Sequence, residues 1–178
     1  MPGQQHTSQL GDDSQRDLRF FQPHGTKRHL LTHAEVAAYS DVGFVHPVSL
    51  FSATEIASHL AAFERLQASA AAQGHDAYSI MNWQHMDGGM YDLVYHDRVL
   101  DLVEELLGPD LVCFRAHYFA KMPQGQDDRI VAWHQDAPYW PISPSKCVTV
   151  WLALTDVHEG NGAMTFIHVC PESMFALN

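Results

Sequence analysis

Trp133-His134-Gln135-Asp136 is followed by Ala137-Pro138-Tyr139-Trp140-Pro141 and, after Pro144, by Val148-Thr149-Val150-Trp151-Leu152-Ala153-Leu154, and fold and chemistry both turn on this stretch. Its β-branched and aromatic residues, broken by proline, predict strands over 130–136 and 147–154. The same pattern extends to 111–121 and 163–169, with Pro, Gly, Asp and Ser punctuating the gaps. In a strand, residues i and i+2 share a face, so His134 and Asp136 can present an imidazole nitrogen and a carboxylate to one point. That is two thirds of a 2-His-1-carboxylate triad, which covers one face of octahedral Fe(II) and leaves positions for a chelating co-substrate and O2. On spacing alone, a solvated strand end or a local hydrogen bond is the commoner meaning of His-x-Asp.

Upstream of this stretch the periodicity is helical. Thr32-His33-Ala34-Glu35 and Ser52-Ala53-Thr54-Glu55 are capping boxes, in which a hydroxyl takes the N–H of the glutamate and the carboxylate returns to the hydroxyl residue. The first predicts a short helix to about Ser40. The second predicts a helix to about Ala72, with Ile56, Leu60, Phe63 and Leu66 on one face and a stop near Gly74. The Gly- and Met-containing stretch from Met86 to Met90 is expected to be a loop. Asp97 is the expected cap of a third helix with Val99, Leu100, Val103, Leu106 and Leu107 as its stripe, ended by Gly108-Pro109. Helices first and strands afterwards indicate an α+β or mainly β domain over 30–178, with the helices outside a sheet, behind a polar leader at 1–29.

Composition excludes several classes. Acidic residues outnumber basic ones by 21 to 10, with no Lys/Arg cluster to neutralise phosphates, so nucleic acid and an anionic membrane surface are not expected partners. No segment approaches the roughly 18 apolar residues that span a bilayer, and no secretory signal is legible, so a cytoplasmic protein is expected. Cys113, Cys147 and Cys170 are far apart and never in CxxC spacing; they are expected to be reduced, buried thiols. Thirteen histidines is a high share, but a mononuclear site uses two or three, so position must select among them.

The order and spacing of Lys121, Trp133-His134-Gln135-Asp136, Tyr139-Trp140-Pro141, 148–154 and Asn161-Gly162-Ala163-Met164 closely resemble the core of phytanoyl-CoA dioxygenase-like enzymes, and 31–52 and 94–111 resemble the helices that precede it. The resemblance covers roughly residues 30 to 167. It implies a double-stranded β-helix (jelly-roll, cupin-like) and Fe(II) held by His134 and Asp136. It also implies a 2-oxoglutarate pocket that includes Trp151, Lys121 and Tyr139. O2 is the oxidant, ascorbate a supporting reductant, and the product a hydroxylated small organic or lipid-like substrate; halogenating relatives lack the carboxylate that Asp136 supplies here. From the residues alone, Lys121 reads equally as an exposed strand-end lysine, and Trp151 as core packing.

The resemblance fails after Ile167. The family continues into Pro-Gly-Ser-His and, later, a distal histidine and an arginine, whereas this chain reads His168-Val169-Cys170-Pro171-Glu172-Ser173. The jelly-roll is therefore expected to be incomplete at its C-terminus, and the chain as given inactive. The alternatives are a catalytically silent product and a cupin-like module that binds a small ligand. His158, His168 and His117 are weaker nominees for the third ligand. His75-Asp76 and His96-Asp97 resemble the adjacent pair of metal-dependent phosphohydrolases, which would need further ligands on neighbouring helices.

Overall fold

Both capping boxes form as the sequence dictates. In the computed structural model, which describes residues 16–27, 29–76, 78–121 and 131–166, α1 spans His33–Val42 and α2 spans Ala53–Ala72. Thr32 and Ser52 accept the N–H of Glu35 and Glu55, and each carboxylate returns to the cap residue's N–H at 2.7 Å. Gly43, at φ 82, closes α1 in the left-handed conformation that only glycine adopts without strain.

Two later helix starts differ from expectation. The Met86–Met90 stretch is not a loop throughout: the Asp87 carboxylate caps the Met90 N–H at 2.7 Å and starts α3, Gly88–Val94, which buries Met90. The cap of α4, Asp97–Leu107, is His96 rather than Asp97, through a bond from the Arg98 N–H to His96 Nδ1. Asp97 instead supplies negative charge to the first turn, where the helix dipole favours it.

The core has two lobes. Leu31, Tyr39, Leu50, Leu102 and Leu106 form one, with Phe20, Val36, Phe51 and Val148 packed around it. Leu66, Ala70, Ile80 and Met90 form the other, with Phe63, Trp83 and Tyr118. The α4 stripe also buries a charge. Glu105 is fully buried, and its carboxylate accepts the N–H groups of His29, Leu30 and Leu31 at 2.7, 2.6 and 2.9 Å, fastening the segment ahead of α1 to α4. Gly25 passes so close to α4 that a β-carbon there would overlap the carbonyls of Glu104 and Glu105.

The sheet is where expectation and structure part. Among the described residues it has two antiparallel strands, β1 (Ser79–Met81), which the sequence did not disclose, and β2 (His117–Phe119), a short portion of the strand expected over 111–121. Ser79 pairs with Phe119, Ile80 with Tyr118 and Met81 with His117. Backbone bonds from Ala120 N to Tyr78 O and from Asn82 N to Ala116 O extend the pairing by one residue at each end. The mainly β jelly-roll is not formed among the described residues. The reason is pairing: residues 147–154 have strand composition but no neighbouring described strand to complete a ladder, and Trp151 stays 50 % exposed. The expected strand starts and ends at Ile130 and Val169 lie outside the described residues, as do His168 and Cys170. No described helix is long and apolar enough to cross a membrane.

Candidate metal and co-substrate site

The segment that carries His134 and Asp136 is not a strand. It runs irregularly to Asp136, whose helical backbone (φ −72, ψ −38) opens a 3-10 turn over Ala137–Tyr139 with Pro138 in its first positions. Proline suits that place because its φ is preset and its missing N–H would have had no partner. The turn is clasped from outside by Arg16, whose guanidinium donates to the carbonyls of Ala137 at 2.8 Å and Pro138 at 3.2 Å, and to that of Trp140. Asp17 continues the clasp, accepting the Ser145 N–H at 2.8 Å and donating its own to Ser143 Oγ at 3.2 Å.

Turn geometry, not strand pleat, therefore brings the pair together. His134 Nδ1 lies 2.7 Å from the Ala132 carbonyl. A carbonyl oxygen can only accept, so Nδ1 carries the proton in that bond, and Nε2 is the ring nitrogen left to face Asp136. Nε2 faces Asp136 Oδ1 at 3.4 Å. The Tyr139 ring meets the imidazole edge to face at 6.0 Å between centroids, and Thr149 Oγ1 reaches the other carboxylate oxygen, Oδ2, at 3.5 Å. Cys147 sits within the field of Asp136: burial first, and that carboxylate's charge second, push its thiol up to about 11. Burial and Cys147 in turn push the Tyr39 phenol up to about 12, so residues 147–149 link the pair to the first core lobe, where Val148 packs.

An imidazole nitrogen and a carboxylate oxygen facing each other at this distance can share a proton or a metal cation. Donors bound at about 2.1 Å on adjacent octahedral positions stand roughly 3.0 Å apart, close to the separation observed, so nitrogen and carboxylate oxygen fit a divalent transition metal as two of its ligands. Among the described residues no third His, Cys, Asp or Glu joins them.

The other nominated residues are elsewhere. Lys121 is exposed and donates to the Gly162 carbonyl at 3.1 Å. Trp151 is half-exposed and shares no hydrogen bond or ring contact with His134 or Asp136. His158 caps a 3-10 turn, its Nδ1 accepting the Gly160 N–H at 3.1 Å. His75 packs edge to face on Trp83, and Asp76 takes the Tyr78 N–H at 2.9 Å, so that His-Asp pair shapes a turn. His96 caps α4 and packs on Phe51. His117 bonds to Ser79 on the sheet. Cys113 and Cys147 are free thiols, but neither is buried: Cys113 is exposed because its segment lies along the surface, and Cys147 is half-buried. Sequence reasoning missed Arg16 and Thr149: the first sits in a stretch without periodicity, and the second reads only as a strand residue.

The family profile of phytanoyl-CoA dioxygenase (PhyH) matches residues 39–168. A curated relative described as a probable alpha-ketoglutarate-dependent hypophosphite dioxygenase, from Stutzerimonas stutzeri, is 25% identical over 142 residues, covering 71% of this chain and 49% of its own. The chain thus spans about half the length of that relative. No solved structure matches.

Proposed function

Since the chain belongs to the phytanoyl-CoA dioxygenase (PhyH) family, we propose that it carries the iron-binding part of an Fe(II)- and 2-oxoglutarate-dependent dioxygenase that hydroxylates an unactivated C–H bond of a small organic substrate. The observation that carries this reading is the convergence of His134 Nε2 and Asp136 Oδ1 at 3.4 Å with the imidazole proton engaged on the other side by Ala132. Metal-bound histidine commonly donates its second N–H to a carbonyl or carboxylate, which fixes the tautomer and the ring orientation.

In this reading His134 and Asp136 hold Fe(II), and the bound metal, 2-oxoglutarate and O2 supply oxidation of the substrate coupled to decarboxylation of 2-oxoglutarate to succinate. The protein's own part is placement. Ala132 orients the imidazole, Thr149 steadies the carboxylate, and Arg16 holds the turn on which Asp136 and Tyr139 sit. Tyr139, Trp151 and Lys121 belong to the co-substrate pocket, with Lys121 pairing to a 2-oxoglutarate carboxylate. The fold that goes with this function is the jelly-roll. Apolar side chains left open on Val150, Trp151 and Phe166, 37, 50 and 52 % exposed, support it, because a facing sheet would cover them.

The test is succinate release from 2-oxoglutarate, with Fe(II) and ascorbate supplied, by a full-length version that carries a distal histidine and arginine, compared with its His134→Ala and Asp136→Ala variants. Iron-dependent succinate formation by the full-length version, lost in both variants, is expected, and the 178-residue chain by itself is expected to form none. Turnover kept in both would overturn the assignment.

A further inference from the structure

The joint between α2 and α4 is built around one ring. Phe51 stands just ahead of the α2 cap, and His59 from α2 and His96 from the start of α4 each meet it edge to face, at 5.0 and 4.9 Å between centroids. The Arg98 guanidinium lies over the same ring at 4.8 Å, donates to the Leu50 carbonyl and pairs with Glu55, the carboxylate that completes the α2 capping box. Two imidazoles and a guanidinium therefore share one phenyl group.

His96 does more than pack. It is the N-cap of α4, and its Nδ1 accepts the Arg98 N–H at 3.2 Å. Helix caps are ordinarily Ser, Thr, Asp or Asn, whose oxygens go on accepting across the neutral range. An imidazole nitrogen accepts only while it carries no proton. One proton on Nδ1 removes the acceptor, and it sets a cation at the helix end where the dipole disfavours one. The caps of α1 and α2, Thr32 and Ser52, have no such dependence.

The charges around the joint come from α2, α3 and α4. Burial is the largest influence on the His59 imidazole and holds it below its ordinary value; His96 and Arg98 act the same way, against Glu55 and Asp92. A group depressed in this way contributes stability that is fully present above its ordinary value and is lost as pH falls through the folded one. Once charged, His59 adds a further cation beside Arg98 and His96. Glu55, held at about 2, stays ionised throughout that fall, and Asp97, in the first turn of α4, is exposed to solvent.

We propose that His96 is a pH-sensitive latch on α4: at neutral pH its Nδ1 caps the helix, and on acidification the first turn lets go and Arg98 loses its fixed place between Leu50 and Glu55. The latch is independent of the dioxygenase reading and needs no iron.

Backbone amide exchange of the full chain, followed by NMR as protection relative to an unfolded chain at the same pH, is compared at about pH 8 and about pH 5.5, either side of the ordinary imidazole range. Val99 and Leu100 donate to the His96 carbonyl, so they and Arg98 report on the first turn of α4. Their protection should fall by about fivefold to tenfold at the lower pH, the change that losing a cap corresponds to. The fall should follow the protonation of His96 read from its own imidazole resonance, while Val36, in the first turn of α1, stays level. His96→Asn keeps a capping side chain that does not titrate. It should retain the neutral-pH protection and abolish the fall, an outcome that a merely structural role for His96 would not give. A native fall that is absent, or that is shared equally by Val36, or that persists at full size in His96→Asn, would each overturn the proposal.

Discussion

His134 Nε2 and Asp136 Oδ1 face one another at 3.4 Å, while the far ring nitrogen, Nδ1, is engaged by the Ala132 carbonyl at 2.7 Å. The arrangement turns one imidazole nitrogen and one carboxylate oxygen to a single point on an exposed turn. The remaining contacts around the pair act on orientation, and their strength can be ranked by distance.

Thr149 is the weakest of them. Its hydroxyl reaches Asp136 Oδ2 at 3.5 Å, near the limit of a hydrogen bond. Thr149→Val should therefore lower Fe(II) affinity by no more than about tenfold, the lower end of what outer contacts to metal ligands contribute. Competition with a fluorescent chelator measures it.

Glu105 is the strongest polar tie in the helical part. Its buried carboxylate accepts three backbone N–H groups, and Glu105→Gln replaces one oxygen with a donor aimed at a donor. Bonds to a charged acceptor contribute about 1.5 to 3 kcal/mol each, so the variant should lose about 3 kcal/mol in urea unfolding. A loss under about 1 kcal/mol would show that the carboxylate is not what holds the segment ahead of α1.

The α2 cap and α4 are joined by Arg98, which donates to Glu55 and, at 2.5 Å, to the Leu50 carbonyl while lying over the Phe51 ring. The Arg98 guanidinium first, and the Ser52 cap after it, hold the Glu55 carboxyl at about 2 against an ordinary 4.5. A depressed carboxylate contributes stability that is fully present above its unfolded value and is lost as pH falls through the folded one. The melting temperature of the native protein should therefore fall between about pH 4.5 and pH 2 more steeply than that of Glu55→Gln. Parallel curves for the two proteins would contradict the coupling.

The helical part was legible because its signals are local. Thr32 with Glu35 and Ser52 with Glu55 specify their helix starts within four residues, and Gly43 and Gly108 close α1 and α4 by their own backbone freedom. The α3 start was passed over because Gly88-Gly89 argues for a loop, while the Asp87 cap and the burial of Met90 outweigh it. Strand positions were less legible, since a ladder depends on a distant partner: β2 was expected long and formed short, and β1 was not anticipated at all. His134 and Asp136 were picked out by spacing and do lie together, but through the 3-10 turn that Pro138 favours and Arg16 clasps, an interaction across more than 120 residues that local pattern does not encode.

Direct Fe(II) binding tests the central claim, that His134 and Asp136 are metal ligands, independently of any substrate. Anaerobic titration of the native protein, His134→Ala and Asp136→Asn should give affinities more than about 100-fold weaker in either variant, beyond the 10- to 100-fold typical of outer contacts, with the double variant little worse than either single one. Native affinity retained in both single variants would contradict it.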